Sequence, residues 1–141
     1  MVLTLANVYL YAQETLTKVK SSHPVDKTVV KLKKVLEENN LKIFSTIDHT
    51  EGAKSVSMEL NSTTLILFGN PALGTKLMKC DQRAGIDLPM KYLVWVDDHN
   101  DVWIGYWEPK LLKKEYALEK CDPVLDKMSG ALSKFALMAA N

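Results

Sequence analysis

Apolar positions along this chain follow two periods, and two mostly apolar runs, the first unbroken and the second interrupted only by Lys91, stand between them. Leu65-Ile66-Leu67-Phe68 halts at Gly69-Asn70-Pro71, and Met90 to Val96 follows Asp87-Leu88-Pro89. Each run has the length of a strand, and their adjacency in sequence predicts a central pair. The first is apolar on both faces, which predicts a strand covered on both sides. Between them Asn70 is a strong helix cap and Pro71 a preferred first helical residue. Leu73, Leu77 and Met78 then supply the inward stripe of a helix ending near Cys80. Gly74 inside that stripe predicts close packing or ligand approach.

The flanking segments complete the pattern. Residues 14–21 alternate and read as an edge strand, protected by Lys18 and Lys20. A helix opens at Ser22-His23-Pro24, with Ser22 or His23 as cap, and carries Val25, Val29, Leu32 and Leu36 on one face. Asn39-Asn40 ends it. Leu41 to Ile47 reads as a strand with Ile43 and Ile47 on one face and Phe44 on the other. Asp48 to Gly52 breaks that strand. Asp97 to Asp101 predicts a hairpin turn with Asn100 left-handed, and Val102 to Trp107 the returning strand. Lys110 to Leu118 reads as a short amphipathic helix. Asp122-Pro123 starts the last helix, with Leu125, Met128, Leu132, Phe135 and Met138 inward. The sum is an α+β fold in the order β-α-β(4)-α, with helices packed on one face of an antiparallel sheet. Residues 15–141 are predicted to form one domain. Residues 1–14 are either a leader remnant or an N-terminal extension that belongs to the fold; the apolar stretch to Ala12 lacks a basic start.

Composition narrows the function classes. The 141 residues are 47% hydrophobic and 25% charged, with 18 basic and 17 acidic residues and a net charge of +1. That near-balance disfavours a nucleic-acid partner, and no stretch has the length of a membrane span. Cys80 and Cys121 either pair once, closing a loop of about 40 residues for on the order of 4 kcal/mol, or remain two buried thiols. His23, His49 and His99 stand in separate turns with no zinc spacing, so no metal and no cofactor is expected.

Six polar residues are candidate ligand contacts. Asp48 and His49 are the best acid/base pair by residue type, since a carboxylate can orient an imidazole that titrates near neutral pH. Asn70 and Thr75 lie at a helix start suited to an anion. Asp87 is either a cap for loop amides or a buried carboxylate facing that helix, and Lys91 could pair with it or with a ligand carboxylate. Adjacent residues leaving a strand point to opposite sides, so Asp48 and His49 need not touch. Serine-hydrolase and phosphate-loop motifs are absent from the sequence. Tyr92, Trp95, Trp103, Tyr106 and Trp107 fall on two paired strands, and alternation sends about half of them to each face.

Ile47-Asp48-His49, Phe68-Gly69-Asn70-Pro71, Gly74-Thr75-Lys76-Leu77-Met78, Ile86-Asp87-Leu88-Pro89-Met90-Lys91 and Leu93-Val94-Trp95, in this order and spacing, resemble the bacterial "domain of unknown function 302" family. The resemblance runs from about Lys18 to Pro109, and Cys121 to Met128 is similar to the family's closing segment. It implies a TATA-binding-protein-like fold, commonly dimeric, and no established activity; such a fold alone carries no function. It also implies that a leader often precedes the domain, which points to a periplasmic or secreted location, with the cytoplasm as alternative. The reading is a homodimeric binding or interaction module, leaning away from an enzyme, with a small polar pocket near the Asn-Pro turn for a small anionic or polar ligand. The alternatives are a small enzyme using a His49/Asp87 acid-base pair, and a periplasmic structural or stress-related partner protein.

Overall fold

The computed structural model describes residues 16–141; the leader-or-extension question for residues 1–14 lies outside them. Five strands form one antiparallel sheet: β1 Thr17–Ser21, β2 Lys42–Asp48, β3 Thr63–Gly69, β4 Met90–Val96 and β5 Val102–Tyr106. They are ordered β1-β5-β4-β3-β2, so β4 is central and β3 lies against it. Four α-helices accompany them: α1 Val25–Glu38, α2 His49–Ser55, α3 Pro71–Cys80 and α4 Asp122–Ala140. With the short α2 and α3 set aside, the order is β-α-β(4)-α, the α+β arrangement that the hydrophobic pattern predicts. In place of the expected helix at Lys110–Leu118 are two 3₁₀ segments, Pro109–Lys114 and Glu119–Cys121.

Strand parity makes two unlike faces. Ile66, Phe68, Tyr92, Val94, Ile104 and Tyr106 point one way and are buried under α1 and α4. Phe68 stacks on Tyr92, 4.8 Å between ring centroids, and Tyr92 meets Tyr106 edge-on at 5.5 Å. The Tyr92 hydroxyl donates to the Leu132 carbonyl at 2.7 Å, fixing α4 to the central strand. Burial pushes that phenol well above the usual tyrosine range. At the far end of α4 the Ser22 amide and hydroxyl both donate to the Ala140 carbonyl at 2.9 Å.

Among the described residues the opposite face has no helix on it. Leu65, Leu93, Trp95 and Trp103 lie there half-buried by one another. The expectation that β3 is covered on both sides is therefore corrected: a strand can be apolar on both faces while helices cover one. A Cβ at Gly105 would fall 2.7 Å from the Trp95 ring and 2.6 Å from Leu16 Cδ2, so the missing side chain lets both lie across β5. The Lys18 ammonium sits 4.3 Å over the Trp103 ring.

Three local expectations also change. A bulge between Ile43 and Ser45 inserts one residue into β2. It reverses the alternation, so Ile43 pairs with Phe68 on the core side while Ile47 pairs with Leu65 on the open side. Pro24, not Ser22 or His23, occupies the cap position of α1, while the Ser21 hydroxyl bonds Thr28 at 2.7 Å beneath it. On α4 the buried stripe turns from Phe135 to Ala136, Ala139 and Ala140, leaving Met138 exposed, as the 3.6-residue period requires after Leu132.

Candidate functional site

The Asn-Pro turn forms as its sequence requires. Asn70 caps α3, its side-chain oxygen accepting from the Ala72 and Leu73 amides at 2.9 and 3.2 Å, and Pro71 begins the helix. Beside it, between the Gly69 end of the sheet, α3 and α4, opens a cleft of about 490 Å³. That volume lies within the roughly 300–1,000 Å³ usual for small-molecule sites. Leu73 and Met78 line it from α3, Met90 from β4, and Met128, Leu132 and Phe135 from α4. No charged side chain lines it, and Asn70 and Thr75 are its polar members. Gly74 belongs to the wall, where an added Cβ would find only Leu88 Cδ1, at 3.7 Å.

The α3 wall is tied down at its far end. Cys80 and Cys121 form a disulfide joining the last residue of α3 to the residue before α4. Next to it the Asp81 carboxylate accepts from the Arg83 guanidinium at 3.0 and 2.7 Å and from the Ala117 amide at 3.1 Å. Those bonds, the arginine's first, hold the Asp81 carboxyl well below the usual carboxylate range.

The six candidates divide among three places. Asp48 and His49 sit at the opposite end of the sheet: Asp48 pairs with Thr64, whereas the cleft begins at Leu67. The Asp48 carboxylate caps α2 through the Thr50 and Glu51 amides at 2.9 and 3.1 Å, rather than orienting His49. His49 is exposed. Asn70 and Thr75 belong to the apolar cleft. Asp87 and Lys91 border a separate hollow of about 460 Å³ together with Trp107 and Glu108. There the Tyr116 hydroxyl donates to the Asp87 carboxylate at 2.6 Å, which pushes the phenol up to about 12. The Lys91 ammonium donates to the Asp87 and Pro89 carbonyls at 3.0 Å each, so it meets the Asp87 backbone and not its carboxylate.

The structure thus does not bring the acid/base candidates together. Thr64 and Phe68, which pair with Asp48 and Met90, are four residues apart on β3, about 14 Å of strand. His49 and Asp87 lie beyond those points in opposite directions. Among the described residues no group of three His, Cys, Asp or Glu side chains could hold a metal. The cleft's Met78, Met128 and Phe135 read in the sequence as ordinary core stripes. Helical spacing shows which face a residue occupies but not whether the neighbouring helix closes over it.

The chain is 33% identical over 125 residues to a Brucella suis protein named fluoride-specific ion channel FluC 1, covering 86% of this chain and 49% of that relative. A Brucella abortus protein of the same name matches at 33% over 125 residues, covering 86% and 46%. The chain spans about half the length of the curated relatives it matches. Among the described residues no helix is long and apolar enough to cross a membrane. A crystal structure of an uncharacterized conserved DUF302 protein from Bacillus stearothermophilus superposes with a TM-score of 0.76 at 15% identity, over 88% of this chain and 97% of that one, a likeness of fold. The model of the family described as "Domain of unknown function DUF302" matches residues 17–135, and the chain belongs to that family.

Proposed function

We propose that this protein is a binding module whose ligand site is the cleft beside the Asn70–Pro71 turn. The observation that carries the reading is the cleft's lining: about 490 Å³ walled by apolar side chains, with no titratable group aimed into it. Such a site binds by burying apolar surface and offers no acid, base or nucleophile for a reaction. The sequence suggested a small anionic or polar ligand; the apolar lining favours one with an apolar body. Native mass spectrometry of protein purified without detergent tests the reading. A retained small molecule, lost when Gly74→Leu fills the wall, supports it; an empty protein that takes up no apolar probe contradicts it.

A second element of the reading is self-association. Trp95, Trp103, Leu65 and Leu93 lie on a sheet face that no helix covers among the described residues, and an apolar face of this kind favours a homodimer built face to face. Sedimentation velocity should show dimers at tens of micromolar (on the order of what a modest interface gives) and monomers for Trp95→Asp. The Cys80–Cys121 bridge favours an oxidising compartment, periplasmic or extracellular. The channel names of the Brucella relatives favour a module that works attached to, or beside, a larger membrane protein.

A further inference from the structure

Resting on the reading of the cleft as a ligand site, we infer that its ligand is a free long-chain carboxylate, with the tail in the cleft and the carboxylate between Lys42 and Lys91. Three observations lead there. The cleft reaches the uncovered side of the sheet at its Gly69 end, where Phe44, Leu67, Gly69 and Pro89 form its rim. Phe44, displaced by the β2 bulge, lies over Gly69, with ring carbon Cε2 3.5 Å from where a Cβ would stand. The rim is therefore an apolar passage between solvent and the methionine-lined interior.

By strand register the two lysines stand on either side of that passage on one face, outside the cleft's own lining, Lys91 also bordering the separate hollow. Lys42 pairs with Gly69 and Lys91 pairs with Leu67, one on each neighbouring strand of β3. The Lys42 ammonium stands 5.3 Å from the Phe44 ring centroid, and the Lys91 ammonium is held 3.0 Å from the carbonyl of Pro89, itself on the rim. Neither has a carboxylate partner among the described residues, in contrast to Lys20, Lys54, Lys110 and Lys113, which are each paired at 2.6 or 2.7 Å. Asp87, whose backbone carbonyl Lys91 meets, has its carboxylate engaged by the Tyr116 hydroxyl.

Charge complementarity then selects the class. An apolar interior without an acid admits a hydrocarbon chain. Two cations beside its mouth favour an anionic head, gain no charge–charge attraction from a neutral alcohol, and repel an ammonium. A compact polar anion would leave the apolar wall unfilled. A cationic amphiphile would meet two like charges at the rim.

Isothermal titration of the full chain with dodecanoate and dodecyltrimethylammonium below their micellar concentrations, and with dodecanol below its solubility limit, tests this. Dodecanoate should bind most tightly, dodecanol roughly three- to tenfold more weakly, and the ammonium probe not measurably. Lys42→Gln with Lys91→Gln should lower dodecanoate affinity to that of dodecanol and leave dodecanol unchanged; both side chains are exposed, so the fold is retained. Ala131→Phe and Gly74→Leu should each abolish binding of both, with thermal unfolding confirming that the tested variant is folded. Equal binding of dodecanoate and dodecanol, or dodecanoate binding indifferent to the lysines, would overturn the carboxylate assignment and leave the cleft as a site for a neutral ligand. Failure of all three probes to bind would overturn the cleft reading itself.

Discussion

The two ends of β3 carry opposite kinds of structure. At the Gly69 end a long helix, a disulfide-tethered helix and three strand ends enclose an apolar cleft. At the Thr64 end stands α2, two turns long with no buried residue, held by the Asp48 cap and by the Thr50 hydroxyl accepting from the Thr63 amide at 2.9 Å. The residues that most resemble catalytic chemistry are at the second end, while the concavity is at the first. Residue type alone would point to His49; the enclosed concavity lies about 14 Å or more away, the length of four strand residues.

That contrast can be broken by mutation. Phe135→Ala, on the α4 wall, should cost about 3–5 kcal/mol of stability, read from the urea midpoint. A loss under about 1 kcal/mol would mean that the wall is not packed as described. Replacing Cys80 and Cys121 together by serine should cost about 2–4 kcal/mol and weaken binding in the cleft, since α3 loses its tether; an unchanged urea midpoint would show the bridge to be dispensable. At the other end, Asp48→Ala should cost about 0.5–2 kcal/mol, confined by hydrogen exchange to α2. His49→Ala should stay within about 0.5 kcal/mol and leave ligand binding intact. A loss of binding in His49→Ala would return the site to the Thr64 end.

The smallest effect concerns the hollow beside the cleft. Tyr116, ordinarily at 10.0, is raised to about 12 by its hydrogen bond to Asp87. A raised folded value means stabilisation present in full below pH 10 and lost as pH climbs through about 12. Urea midpoints should therefore fall over that window in the parent and less steeply in Tyr116→Phe. Parallel curves would show that the bond to Asp87 does not form in solution.

Much of the fold was legible because local signals agreed with one another. The Asn70 cap with Pro71, the left-handed Asn40 and Asn100, and the Tyr92/Val94 alternation each stand where the pattern puts them. The site was less legible. The β2 bulge leaves no mark that composition distinguishes, yet it turns Phe44 onto Gly69 and shapes the cleft rim. Asp48 and Asn70 each follow or end a strand and so look alike in sequence. An antiparallel sheet sends the ends of successive strands to its opposite ends, and that separates Asp48 from Asn70 along the length of one strand. Lys42 carried no signal at all, since an exposed lysine on a strand is ordinary.

The most direct test uses the methionine methyl groups as reporters. Met78, Met90 and Met128 line the cleft, while Met58 lies just past α2 and Met138 is on the exposed side of α4. In methyl-labelled protein titrated with dodecanoate, the resonances of Met78, Met90 and Met128 should move together in a saturable way, with Met58 and Met138 unmoved. Saturable shifts at Met58 with the cleft methionines unmoved would contradict the account.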